Sequence, residues 1–294
     1  AAQLLNEFSF IPYARLDDLM VSYAAPGGGV GAHFDGYDVL LLQGSGQRRW
    51  QISRQADLEL VADVPMKILR HFAPTHEWLV NPGDLLYLPP QCAHNGIAVG
   101  ECITYSIGFR APTAEELALR FLEFLQDRLE FKGIYADPHL KPTRAPARLP
   151  RQMIEHAALM LDRLRWKRKD VEEFMGVYLT EPKANVVFIR PRQVMTLTAF
   201  TRRAQRAGIR LGLPTRMLVS GRRIFINGES HAVEPGALST LSQLANQRAL
   251  APPLALTKTT AGRLYDWYCT GYLETGTAPR TDEACTGSQP RNRL

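Results

Sequence analysis

The chain has 294 residues, 45% of them hydrophobic and 22% charged, with a net charge of +6 at neutral pH. That is enough chain to bury more than one core, and the composition is that of an ordinary soluble globular protein rather than a disordered or fibrous one. The longest apolar runs, such as Asp38-Val39-Leu40-Leu41-Leu42, have the length of a strand, so no run can span a bilayer and no membrane partner is expected.

From Leu16 to Arg110 the pattern is β. Leu19 to Tyr23 reads as a strand, broken by Pro26-Gly27-Gly28-Gly29. His33 to Leu42 reads as a strand or a pair of strands, and Gly44-Ser45-Gly46 turns the chain into Arg48-Arg49-Trp50-Gln51-Ile52. Trp78 to Val80 leads into the turn Asn81-Pro82-Gly83-Asp84, then Leu85 to Leu88 stops at Pro89-Pro90, and Ile103 to Phe109 closes the set. Many short strands with frequent turns predict a sandwich or barrel over residues 1–112. Little sequence precedes the first strand, so this barrel is expected to be incomplete at its N-terminal side.

After Pro112 the period changes. Thr113 with Glu116 forms a capping box, and Leu117, Phe121, Phe124 and Leu125 recur at helical spacing. Pro138 to Pro150 holds four prolines and reads as a linker, followed by helical stretches over Gln152–Trp166 and Asp170–Leu179. Their apolar stripes exceed what one attached segment should leave exposed, so residues 113–182 are expected to form a dimer contact. A short apolar strand from Val186, a helix over Thr198–Ala207 and a hairpin from Met217 to Gly228 predict a winged-helix-like domain over 183–274. Residues 275–294 read as a disordered polar tail.

The charge is uneven. Between Pro182 and Gly228 there is no acid, yet ten cations fall there: Lys183, Arg190, Arg192, Arg202, Arg203, Arg206, Arg210, Arg216, Arg222 and Arg223. Such a field suits a polyanion or an acidic surface, and a merely solvated basic face is the plain alternative. The four cysteines, Cys92, Cys102, Cys269 and Cys285, show no paired spacing and read as reduced structural thiols of a cytoplasmic protein.

The chemistry lies in His33-Phe34-Asp35 and in His94. Two imidazoles and one carboxylate form the facial triad of non-haem Fe(II) oxygenases, which leaves positions open for cosubstrate and dioxygen. Residues i and i+2 of a strand share a face, so His33 and Asp35 can reach one ion, with His94 supplied from another strand. A chance HxD, or a buried histidine paired with an aspartate, is the bland alternative. A site of this kind needs an electron-supplying cosubstrate, usually 2-oxoglutarate, whose distal carboxylate calls for a buried cation with bidentate geometry. Arg48 follows His33 by fifteen residues, on the strand after the glycine turn. Arg49 must face the opposite way, so one of the two can serve, and Arg48 is favoured. His71, His76, His139, His156 and His231 read as surface or structural residues, and Asp38 and Asp84 as strand-end or turn residues.

The run Pro26 to Val39 resembles the JmjC-type (cupin) ribosomal oxygenases, as do Gln43 to Trp50, Pro82 to Pro90 and Tyr105 to Pro112. The resemblance covers about residues 17–113 and is nearest to the bacterial branch that hydroxylates an arginine of large-subunit ribosomal protein sixteen. It implies an α+β chain in which a double-stranded β-helix (jelly-roll) barrel is followed by a helical dimerisation region and a winged-helix-like domain. It further implies Fe(II) held by His33, Asp35 and His94, and 2-oxoglutarate held by Arg48 with Thr104 and Ser106 in the same pocket. Thr104 departs from the pattern, standing where this branch is expected to carry Asn. The implied reaction is hydroxylation of an arginine β-carbon in a ribosomal protein of the large subunit, coupled to conversion of 2-oxoglutarate to succinate. The basic segment would then present the substrate or its RNA surroundings, with non-specific ribosomal RNA contact. The rivals are histidine hydroxylation in another ribosomal protein, action on a methylated lysine, and a non-catalytic cupin that binds RNA.

Overall fold

The computed structural model describes residue 4 and residues 7–64, 66–126, 128 and 134–276. The chain divides into two compact units, Ala1–Asp127 and Arg128–Leu294.

The first unit carries β1 (Leu16–Ala24), β2 (Val39–Ser45), β3 (Arg48–Ser53), β4 (His76–Val80), β5 (Leu85–Leu88), β6 (Ala93–Ala98), β7 (Cys102–Phe109) and helix α1 (Ala114–Gln126). These strands form two antiparallel sheets, ordered β1-β7-β2-β5 and β4-β3-β6. The chain passes from one sheet to the other between β2 and β3, between β4 and β5, and at each step from β5 to β7. That alternation makes the predicted cupin-type double-stranded β-helix.

Strand alternation fills the space between the sheets. Val39 and Leu41 of β2 meet Trp50 and Ile52 of β3, with Val80, Leu88 and Cys92 completing the cluster. Gly96 is what admits the Trp50 ring, since a Cβ there would lie 2.6 Å from its ring atoms. The outer face of the larger sheet is covered by Phe8 and Phe109 against Ile107. The predicted turn forms as expected, with the Asp84 carboxylate accepting from the Asn81 N–H at 2.7 Å. Helix α1 is capped as predicted, the Glu116 N–H donating to the Thr113 hydroxyl at 3.1 Å.

The second unit holds α2 (Arg151–Leu161), α3 (Arg168–Thr180), α4 (Leu197–Ala207), β8 (Ile209–Leu211), β9 (Met217–Ser220), β10 (Arg223–Ile226), β11 (Glu229–Ala232), α5 (Pro235–Gln247), β12 (Ala249–Leu250), α6 (Lys258–Thr270) and β13 (Leu273–Thr275). Its core gathers Phe200 and Ala204 of α4, Ile224 and Ile226 of β10, Leu241 and Leu244 of α5 and Leu264 of α6. Helix α3 seats on the β10 ribbon at Gly176, where any Cβ would collide with the Phe225 ring, and the Thr180 hydroxyl accepts the Gly228 N–H at 3.1 Å.

Four expectations are corrected. His33 is not in a regular strand; it makes isolated bridges to His94 and Ile68, and β2 begins only at Val39. The helix expected to reach Trp166 ends at Leu161, because the Asp170 carboxylate caps the Lys167 N–H at 2.6 Å and starts α3 there instead. The strand expected from Val186 does not form: Val187 and Ile189 are exposed, and only Phe188 finds a partner, the Tyr272 ring. Thr275 belongs to β13, paired with Ile209, the Gly276 N–H donates to the Gly208 carbonyl at 2.8 Å, and residues 277–294 of the expected tail, with Cys285, lie outside the described residues.

Candidate active site

A reciprocal pair of backbone hydrogen bonds builds the site. The His33 N–H donates to the His94 carbonyl at 2.9 Å and the His94 N–H to the His33 carbonyl at 2.8 Å, which sets the two imidazoles 4.2 Å apart by ring centroid. The excursion between β3 and β4 returns to this point, the Leu69 N–H donating to the Ala32 carbonyl at 2.8 Å. Asp35 is fixed through its own carbonyl, which accepts the Gln91 N–H at 2.7 Å.

Each histidine has its Nδ1 2.9 Å from a carbonyl, that of Gly31 for His33 and of Cys92 for His94. Donation from Nδ1 leaves the Nε2 lone pair of each ring free to bind a metal. His94 Nε2 lies 3.8 Å from the Asp35 carboxylate, and the ligand atoms of His33, Asp35 and His94 all fall within 4.8 Å of one another. Among the described residues this is the only such group of histidine, cysteine or acidic side chains. His94 is 3% exposed, and burial, with the neighbouring His33 adding to it, pushes its imidazole below the usual range despite the Cys92 carbonyl and Asp35. A neutral imidazole is the form that ligates a cation. Burial also pushes the Cys92 thiol up, away from the thiolate form.

Deeper in the barrel lies Arg48, 6% exposed on the inner face of β3. Its guanidinium carbon sits 5.7 Å from the Trp50 ring centroid, Nη2 donates to the Cys102 thiol at 3.6 Å, and Nε is buried with no partner. A buried guanidinium with no acidic partner among the described residues calls for an anion. Arg49 faces outward and reaches Glu77 at 3.4 Å, as strand alternation requires. Thr104 and Ser106 are buried on β7. The Thr104 hydroxyl donates to Gln43 Oε1 at 3.0 Å, and Gln43 in turn donates to the carbonyls of Ser45 and Gly46. Thr104 is therefore committed as a donor and can offer an anion no hydrogen bond of its own.

Residues facing one another across an antiparallel pair point to the same side. The register Asp18↔Gly108, Met20↔Ser106 and Ser22↔Thr104 puts Asp18 and Met20 of β1 on the face that carries Ser106. A Cβ on Gly108 would lie 3.4 Å from Asp18 Oδ1 and 3.7 Å from a Tyr37 ring carbon, so both side chains reach over this glycine. Met20 is 57% and Tyr37 42% exposed, so this end of the face opens outward. Sequence reading missed these residues, since only the β1–β7 register shows which β1 side chains face inward. The other histidines have partners of their own: His76 stacks on Trp78, His156 lies against Tyr135 and His231 pairs with Glu229.

Residues 3–117 match the JmjC domain family, and residues 163–274 match the ROXA-like winged helix family. The chain is 34% identical over 186 residues to the ribosomal protein uL16 3-hydroxylase of Escherichia coli K12, an alignment covering 62% of this chain and 49% of that protein. It is 45% identical over 119 residues to a probable ribosomal oxygenase of Haemophilus influenzae, covering 39% of this chain and 29% of that protein. The structure of the Escherichia coli ribosomal oxygenase YcfD in complex with cobalt and 2-oxoglutarate superposes with a TM-score of 0.74 at 28% identity, over 93% of this chain and 74% of that one. The chain thus spans about half the length of the first of these curated relatives.

Proposed function

We propose that this chain, which carries a JmjC domain followed by a ROXA-like winged helix, is an Fe(II)- and 2-oxoglutarate-dependent protein hydroxylase acting on an arginine β-carbon of ribosomal protein uL16. The observation that carries it is the pairing, in one barrel, of a three-ligand cluster with a buried guanidinium that has no acidic partner. The donor set suits a ferrous ion: two imidazoles and one carboxylate are the ligands of the facial triad, which leaves coordination positions open.

When bound, iron and 2-oxoglutarate supply the oxidising chemistry, which inserts one oxygen of dioxygen into an unactivated C–H bond and releases succinate and carbon dioxide. His33, Asp35 and His94 hold the ion. Arg48 anchors the distal carboxylate through a charge-assisted hydrogen bond, strengthened because the guanidinium is already out of water. Trp50 and Leu41, buried in the core of the same barrel, would help to exclude water from the site. Asp18 receives a cationic side chain beside the Tyr37 ring, which orients an arginine with its aliphatic carbons towards the metal end. Ser106 borders both ligands on the same face.

The proposed assembly is a cytoplasmic homodimer joined through the 113–182 region, where Ile154, Leu159 and Leu161 of α2 are exposed. The basic segment of the winged helix would dock the enzyme near its substrate, with contact to ribosomal RNA. The test is iron-dependent succinate formation from 2-oxoglutarate, stimulated by uL16, together with mass spectrometry of uL16 from a deletion strain. Loss of one oxygen's mass from an arginine peptide of uL16 is expected. An unchanged uL16 with a changed second ribosomal protein would move the activity to that substrate.

A further inference from the structure

The ten cations between Pro182 and Gly228 are not equivalent once folded. Arg210 is paired with Glu274 at 2.6 Å and Arg223 with Glu173 at 3.2 Å, and Lys183 and Arg216 also have partners. Arg190, Arg192 and Arg222 are exposed outside any helix or strand, whereas Arg202, Arg203 and Arg206 are exposed together on one helix, and none of these three has a carboxylate partner among the described residues.

All three lie on α4. That helix turns Phe200 and Ala204 inward, both 0% exposed, so the helical period carries residues 202 and 206 to the opposite side and residue 203 to the adjoining exposed flank. No acid occurs anywhere in the helix. Like charges three and four residues apart repel along a helix, so this face carries an internal strain that an anion would relieve. Guanidinium groups match phosphate oxygens in bidentate geometry. A protein that lives on RNA is itself basic, so this face would repel the isolated substrate protein and attract the nucleic acid around it.

We infer that the outer face of α4 binds the phosphate backbone of RNA without reading its sequence, through Arg202, Arg203 and Arg206. The inference rests on the hydroxylase reading only for the expectation that the RNA is ribosomal. Binding is independent of iron and 2-oxoglutarate, because every group it uses lies in the second unit.

The experiment is fluorescence anisotropy of the full chain, without metal or cosubstrate, titrated into a labelled mixed-sequence single-stranded RNA at a series of salt concentrations. Each phosphate contact to a single strand contributes about 0.7 to the slope of log affinity against log salt. Arg202→Gln, Arg203→Gln and Arg206→Gln together should therefore flatten that slope by about two. A control with the same charge loss, Lys141→Gln, Arg144→Gln and Arg148→Gln on the exposed linker, should leave it unchanged, and replacement of the three α4 arginines by lysine should preserve it. An unaltered slope in the α4 glutamine variant, or an equal fall in the control, overturns the inference. So does a lysine variant that folds yet shows the glutamine variant's slope. Equal affinity for polyglutamate would assign the face to acidic protein surfaces instead. Uncoupled succinate formation by the α4 glutamine variant, measured separately without protein substrate, should match the unaltered enzyme. A failure of RNA binding with turnover intact thus refutes this inference alone, and a failure of turnover with RNA binding intact refutes the hydroxylase reading alone.

Discussion

Replacing Arg48 with Met should stabilise the ligand-free barrel and, at the same time, weaken 2-oxoglutarate binding. Nε of Arg48 is buried without a partner, and Nη2 meets only the weakly accepting Cys102 thiol at 3.6 Å. An unsatisfied buried donor costs about 1–3 kcal/mol, part of which a Met of similar length would recover. The same group forms a charged hydrogen bond to the cosubstrate worth about 1.5–3 kcal/mol, so its loss should weaken binding by roughly 10- to 150-fold. Anaerobic thermal unfolding with Fe(II), with and without cosubstrate, reads both signs. At a concentration about 100 times its dissociation constant a ligand stabilises by about 2.7 kcal/mol; after a 100-fold weakening the same concentration gives only about 0.4 kcal/mol. Arg49→Ala is the control, since its ion pair with Glu77 is half-exposed and worth about 0.2–1 kcal/mol at most. A cosubstrate-induced shift that survives in the Arg48→Met protein, or disappears equally in Arg49→Ala, would refute the assignment. A ligand-free Arg48→Met protein less stable than its parent would refute the reasoning about the buried charge.

His33→Ala and Asp35→Ala should each abolish iron-dependent succinate formation and calorimetric Mn(II) binding while leaving the unfolding temperature nearly unchanged, because both side chains are only half-buried. His94→Ala should lose stability as well, since it empties a site 3% exposed. Asp18→Asn should lower kcat/KM for the protein substrate by about tenfold or more through loss of a charged hydrogen bond, with uncoupled 2-oxoglutarate turnover retained. Equal loss of both rates would mean that Asp18 supports the β1 edge instead. Light scattering should give a dimer at micromolar concentration and a monomer after Ile154→Glu with Leu161→Glu. A dimer that persists in this double variant would move the contact off α2.

Sequence reading was surest in elements whose periodicity survives folding. Arg48 against Arg49 was legible because β3 is a regular strand, and alternation alone decides which of two adjacent arginines is buried. The turn at Asn81 to Asp84 and the cap at Thr113 were legible because each depends on side chains within three residues of one another. The reason given for pairing His33 with Asp35 was less secure than the pairing itself. They converge without being strand neighbours, since the 27–33 segment is held along β6 by long-range backbone bonds, Gly27 N–H to Ala98 carbonyl at one end and His33 to His94 at the other. The strand expected at Val186 failed for the converse reason: the run is apolar, but among the described residues no neighbouring strand pairs with it. Asp18 was illegible because its inward direction exists only through the pairing of β1 with β7, strands more than eighty residues apart.

The inner face of the barrel therefore holds two kinds of polar side chain, and the difference separates structure from function. Gln43 and Thr104 satisfy one another and the carbonyls of Ser45 and Gly46, so that part of the face is complete without a ligand. At Arg48 the hydrogen bonding stops short, since its Nε is buried with no partner, and at His33 and His94 the Nδ1 atoms are engaged by carbonyls, which leaves the Nε2 atoms for a ligand. Unsatisfied buried groups are disfavoured in a folded core unless something else completes them. In the proposed function a cation would complete one end and the distal carboxylate of 2-oxoglutarate the other. A binding module could use either end alone. A barrel that keeps a three-ligand cluster and an acid-free buried guanidinium together offers polar groups for a cation and for an anion at once.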